Sequence, residues 1–82
     1  MILIDVYVPA LDKVYDFSVD ENSAISVLTE ELAEMICQYE QYDPIEHPER
    51  IMLACESKRL RLPANETLLS CGIRHGERLI MT

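Results

Sequence analysis

The chain has very little of what makes a polypeptide loose or repetitive: two glycines and four prolines among 82 residues. That scarcity excludes a low-complexity or disordered class, because the hydrophobic share is 49% and the charged share 27%, the balance of a globular domain. It also has no apolar run approaching the ~20 residues of a membrane span. Met1 to Ile4 is apolar, but Asp5 interrupts it and no basic residue flanks it, so it is not read as a signal peptide. Cysteine is scarce and unpaired: Cys37, Cys55 and Cys71 form an odd set without C-x-x-C spacing, which excludes a disulfide framework and fits small core hydrophobes in a reducing compartment. A cytosolic location is expected. Positive charge is the rarest resource, with seven Lys and Arg against 15 Asp and Glu, net −8. Such a surface repels phosphate backbones and anionic lipid, so neither nucleic-acid binding nor direct membrane insertion is expected.

What is present reads as one small domain spanning 1–82, since the length leaves room for a single core. Ile2, Ile4, Val6 and Val8 alternate with Leu3, Asp5 and Tyr7, the period of a strand with one buried face. Lys13 to Val19 alternates again, with Tyr15, Phe17 and Val19 on one side, so the two runs form a hairpin across Pro9 to Asp12. Asn22 or Ser23 is placed to cap a helix from about Ser23 to Glu40, whose inward stripe is Ile25, Leu28, Leu32, Met35 or Ile36, and Tyr39. Ser26, Thr29, Glu30, Glu34 and Gln38 fill the opposite side. Asp43–Pro44 and His47–Pro48 forbid continuation of that helix. Arg50 to Glu56 and Arg59 to Leu62 read as two short strands around the turn Ser57–Lys58. Thr67 to Cys71 reads as one helical turn stopped by Gly72, and Arg78 to Thr82 as a closing strand with Leu79 and Met81 inward. A hairpin, one long helix and a return to strands predict an α+β fold, a β-grasp in which the helix crosses a mixed sheet and the last strand lies between the first and third.

Candidate chemistry is thin. Cys71 and His75 are four apart, a spacing that would pair a thiol with an imidazole on a helix, but Gly72 and Gly76 turn the chain there and no orienting third group is evident. A zinc site that adds Cys37, Cys55 and His47 to Cys71 and His75 fails on spacing. Glu30, Glu31, Glu34 and Glu40 read as a solvated helix face rather than acid/base pairs. With no glycine-rich phosphate loop and no Ser/His/Asp signature, neither a cofactor nor enzymatic activity is expected.

Charge is distributed unevenly. Residues 1–49 hold twelve acidic side chains and one basic, whereas residues 50–82 hold three acidic and six basic. If strands three and five are neighbours, Met52, Ala54 and Ile80 form an exposed apolar patch rimmed by Arg50, Lys58, Arg59, Arg61 and Arg78, an arrangement suited to a protein interface. A basic rim and an acidic half on one molecule predict capture of an acidic partner surface by Arg59, Arg61 and Arg78 around Ile80, or else weak, salt-sensitive head-to-tail self-association.

The order of elements, together with Leu69-Ser70-Cys71-Gly72-Ile73-Arg74-His75-Gly76-Glu77-Arg78-Leu79, resembles the ubiquitin-like YukD/EsaB family across essentially the whole chain. One residue fewer separates Ser70 from Cys71 than in the family's Leu-Ser-x-Cys-Gly-Ile ending, and Gln41 to Glu49 matches no family motif. The resemblance implies a non-conjugating, cytosolic accessory or regulatory protein of the bacterial type VII secretion system. It would act by docking to the membrane ATPase or another component of that machine. Met52, Ala54 and Ile80 fall where ubiquitin carries its hydrophobic recognition patch. The alternative is a sulfur carrier or ubiquitin-like modifier, but these need a flexible Gly-Gly tail to enter an adenylating enzyme, and this sequence runs to Met81–Thr82 without one.

Overall fold

A computed structural model describes residues 1–82. Two seven-residue strands, β1 (Ile2–Val8) and β2 (Lys13–Val19), form the hairpin. Its turn is closed by the Leu11 and Asp12 N–H groups donating to the carbonyls of Val8 and Pro9, at 3.1 Å each. Asp12 takes the left-handed conformation there (φ 51°), which Asp tolerates better than most residues. Helix α1 (Ile25–Glu40) follows, then a 3-10 turn over Pro48–Arg50 that packs on the helix. β3 (Leu53–Cys55), β4 (Leu60–Arg61) and β5 (Arg78–Met81) complete one sheet in the order β2-β1-β5-β3-β4. β5 runs parallel to β1 and antiparallel to β3, so the last strand is central, the β-grasp arrangement.

One face of that sheet carries Ile4, Val6, Phe17, Val19, Leu53, Leu79 and Met81, all buried under α1. The helix answers with Ile25, Leu28, Leu32, Ala33 and Ile36. Leu68 and Ile73, from the stretch before β5, close the same sixteen-residue core. Each large apolar side chain contributes about 1.5–3 kcal/mol by leaving water, which is how so short a chain offsets its ordering entropy.

Several sequence-based expectations are corrected. The helix starts at Ile25 with Ala24 at the N-cap and no side-chain cap, so neither Asn22 nor Ser23 fills that role. Backbone from elsewhere in the fold does so instead, as orphan N–H groups at a helix start require. The Ile25 and Ser26 N–H groups donate to the carbonyls of Glu66 (2.8 Å) and Ala64 (3.0 Å). Thr29, expected on the wet side, is buried, its hydroxyl donating to the Ile25 carbonyl at 2.7 Å. Tyr39, expected inside, is 67% exposed and stacks on Tyr15 with ring centroids 6.5 Å apart. Glu40 is not a free surface carboxylate, since Lys13 Nζ donates to both its oxygens at 2.9 Å and the Tyr15 hydroxyl donates to one of them. The third strand is shorter than Arg50–Glu56, and Arg59 sits in the β3–β4 turn at φ 50° rather than on a strand. Thr67 to Cys71 keeps to the single turn expected, the Cys71 N–H donating to the Thr67 carbonyl at 3.0 Å, and does not extend into a longer helix. Thr67 and Ser70 exchange hydrogen bonds between side chain and backbone at 2.9 and 3.0 Å, and Gly72 and Gly76 turn the chain at φ 75° and 89°.

Candidate functional site: the outer face of the sheet

Strand register decides which residues share the face turned away from α1. Ala54 pairs with Ile80 across β3 and β5, Ala54 pairs with Arg61 across β3 and β4, and Ile80 stands opposite Tyr7 of β1. Tyr7 in turn pairs with Val14 of β2. Arg61, Ala54, Ile80, Tyr7 and Val14 therefore form one row across all five strands. Met52, two residues before Ala54, exchanges backbone hydrogen bonds with Thr82 at 3.0 Å in each direction and lies 38% exposed on the same side. In the next row Arg78 stands beside Asp5, which pairs with Asp16.

The seven residues singled out from the sequence are thus unevenly gathered. Met52, Ala54, Arg61, Arg78 and Ile80 occupy neighbouring positions on strands or in direct register with them. Lys58 and Arg59 project from the β3–β4 turn at the edge, where Lys58 Nζ lies 3.6 Å from Glu77. Arg50 belongs to the 3-10 turn that packs on α1, off the strands that carry Arg61 and Arg78, and is exposed there. Tyr7 and Val14 were missed, although the alternation of the two hairpin strands turns them away from the core and the closing strand was expected between the first and third; what was missing was the register that sets Ile80 opposite Tyr7 and Tyr7 opposite Val14.

Electrostatics separates the basic residues into two kinds. Lys13 and Lys58 are paired with Glu40 and Glu77, while Arg50, Arg59, Arg61, Arg74 and Arg78 are all exposed and make no ion pair within 4.0 Å. Asp16 is raised from its ordinary value, first by side-chain hydrogen bonding with Asp5 that favours the protonated form and then by the charge of Asp5. Tyr7 is raised by donating its hydroxyl to Asp12 Oδ1 at 3.1 Å and by that carboxylate's charge.

Two of the molecule's concavities open where α1 meets the sheet. One, of about 620 Å3, opens between the first turns of α1, the Pro48–Leu53 segment and Arg61 to Ala64. The other, of about 530 Å3, is lined mostly by apolar side chains of the β1–β2 turn, the second half of α1 and the Tyr42–Ile45 segment. Neither gathers Cys71 and His75. The His75 Nδ1 accepts the Leu3 N–H at 3.1 Å, which ties the imidazole to β1. Cys37, Cys55 and Cys71 are free thiols, the first two buried. No three His, Cys, Asp or Glu side chains converge on a point suited to a metal ion.

A family model described as "WXG100 protein secretion system (Wss), protein YukD" matches residues 3–81. The chain belongs to the YukD family. It is accordingly a ubiquitin-like protein associated with WXG100, or type VII, secretion, and every strand residue of the outer face lies within the matched span. The fold is shared with the EccD5 ubiquitin-like domain from Mycobacterium xenopi, at 20% identity and a TM-score of 0.76, over 99% of this chain and 91% of that one. A de novo designed protein based on ubiquitin aligns at 20% identity and TM-score 0.73, over 99% and 85% of the two chains. The N-terminal ubiquitin-like domain in the 4931431F19Rik protein aligns at 21% and 0.67, over 99% and 72%. No curated protein matches the sequence. No helix of this YukD-family chain is long and apolar enough to cross a membrane.

Proposed function

We propose that this YukD-family protein is a single, non-conjugating and non-catalytic docking domain on the cytoplasmic side of the secretion apparatus. It holds an acidic protein surface against the outer face of β3 and β5. Met52, Ala54 and Ile80 supply the apolar centre, and Arg61 and Arg78, with Lys58 and Arg59 at the turn, supply the rim. The observation that carries this reading is the contrast among its cations. Both lysines are matched to carboxylates of the same chain, but no arginine is, in a molecule with 15 acidic residues available. Arginine is the residue best suited to forked recognition of a partner's carboxylates, and such a rim acts chiefly on association rate and orientation. A membrane ATPase or another component of the same machine is the partner this reading favours, consistent with the family's secretion-system description.

The test is affinity capture from the native host with the intact protein, Arg61→Glu/Arg78→Glu and Ile80→Asp, each checked for native thermal unfolding. The reading expects a secretion component with the unaltered protein and its loss with both variants. Equal recovery with all three would remove the outer face from consideration.

A further inference from the structure

The two edges of the sheet are unequal. β4 closes one edge with two residues, too short to template another strand, whereas β2 leaves seven residues at the other. Four of those seven, Val14, Tyr15, Phe17 and Val19, are β-branched or aromatic, and no Gly or Pro interrupts them.

Backbone polarity along that edge follows from the hydrogen bonds of β1. Asp5 N–H donates to the Glu77 carbonyl (3.0 Å), Leu3 N–H to His75 Nδ1 (3.1 Å), and the Leu3 carbonyl accepts from Gly76 N–H (2.7 Å), so the odd residues of β1 turn toward β5. The even residues turn toward β2, and their register partners Lys13, Tyr15, Phe17 and Val19 return those bonds. Val14, Asp16 and Ser18 are left with N–H and C=O groups pointing out of the sheet. No other segment of the chain makes backbone hydrogen bonds to them.

Charge selects what could add there. From Asp12 to Glu40 the chain carries eight carboxylates and one basic residue, Lys13, which is already bound to Glu40. Asp16, the middle residue of the edge, sits in register with a second carboxylate, Asp5. A second copy adding β2 to β2 about a two-fold axis at Asp16 would set Asp16 against Asp16 and bring two molecules of net charge −8 together, so like charges oppose that dimer. A foreign strand with Lys or Arg opposite Asp16 relieves the same repulsion. On the helix side, the Tyr15 ring, stacked on the exposed Tyr39, offers an apolar wall for the alternate residues of such a strand.

We propose that the free β2 edge of this protein binds an extended segment of another protein by strand addition, through the outward backbone groups of Val14, Asp16 and Ser18. The segment carries a basic residue opposite Asp16 and apolar residues on either side. The outward backbone groups of this edge face away from the β3–β4 rim, with β1 and β5 between them, although the Asp16 side chain shares a row of the outer face with Asp5 and Arg78.

The probe is an acetylated, amidated heptapeptide, Lys-Val-Ile-Arg-Ile-Val-Lys, titrated into the 15N-labelled intact protein. A control peptide carries Asp in place of Arg. The expected result is shift changes and slowed hydrogen exchange centred on the Val14, Asp16 and Ser18 amides, with the Arg peptide bound roughly tenfold more tightly than the Asp peptide. Asp16→Lys should reverse that preference. Ser18→Pro, which removes an outward donor while leaving the β1 ladder bonds in place, should weaken both peptides without altering protection in β1. The proposal is overturned if the peptide leaves those amides unshifted at millimolar concentration, if the Asp peptide binds as well, or if the shifts fall on Ala54, Arg61 and Ile80. Concentration-dependent broadening of the three edge amides without peptide would identify a second copy as the occupant and overturn it equally.

Discussion

Three non-glycine residues, Asp12, Gln41 and Arg59, carry left-handed φ values. That conformation costs an L-residue about 1–2 kcal/mol. Gln41 is the most telling of them because it ends α1. Its N–H donates to the Gln38 carbonyl and the Tyr42 N–H to the Cys37 carbonyl, the bonding of a Schellman cap that normally recruits glycine. Gln41→Gly should therefore raise stability by about 0.5–1 kcal/mol, once glycine's larger unfolded-state entropy is subtracted, read as a higher urea midpoint. Tyr15 supports a second prediction. Burial, then its hydrogen bond to Glu40, pushes the phenol from 10.0 up to about 12. The fold's preference for the neutral phenol is complete below pH 10 and is lost as pH rises from 10 toward 12. Lys13 and Tyr7 are also raised, so the alkaline decline has three contributors. Tyr15→Phe should make that decline shallower in a stability-against-pH series, and an unchanged slope would place the loss elsewhere.

At the scale of the element, α1 shows which helix signals act and which are overridden. The three- and four-residue spacing of Ile25, Leu28, Leu32 and Ile36 matches the buried face, because only that face meets the sheet. Both Leu28 and Leu32 are almost wholly buried. Leu28→Ala and Leu32→Ala should each cost about 2–5 kcal/mol in denaturant unfolding. The polar residues before the helix point the other way. Asp20 Oδ1 accepts the Asn22 N–H at 2.9 Å and shapes the approach, but no side chain caps the first turn. Ser23→Ala and Asn22→Ala should each change stability by less than about 0.5 kcal/mol, where a true N-cap loss costs about 1 kcal/mol. A full cap-sized loss at either position would contradict the backbone capping by Ala64 and Glu66. The strands show the same division: alternation was legible in β1 and β2 over seven residues each, while β3 and β4, at three and two, were too short for period to define their ends.

Considered as a whole, the molecule sets an arginine face on strands from its C-terminal part against an acidic hairpin and helix. Net charge is −8, yet the outer face carries Arg61 and Arg78, which form no ion pair within 4.0 Å, although Asp5 stands in register beside Arg78. A partner of the proposed acidic kind should associate more slowly as salt rises past physiological ionic strength, where screening acts within about 8 Å. In Arg61→Glu/Arg78→Glu that dependence should flatten or invert, as stopped-flow mixing would show. An identical salt slope in both proteins would mean that the arginines do not steer the encounter.

The alternation, the helical stripe and the breakers at Pro44 and Pro48 were enough to set the β-grasp order, because each is a local consequence of side-chain spacing. The Leu69 to Leu79 stretch was enough to bring the family into view. Register, capping and edges needed the folded chain. Ala64 and Glu66, whose carbonyls cap α1, lie far beyond it in the chain. Arg59 left the strand pattern only because a tight turn required a left-handed residue, and Arg50 left the third strand because it ends a 3-10 turn packed on the helix. That Val14, Asp16 and Ser18 turn their backbone groups outward depends on the β1–β2 register, which sets Lys13, Tyr15, Phe17 and Val19 against the even residues of β1, and alternation within each strand does not fix which backbone groups pair across a hairpin.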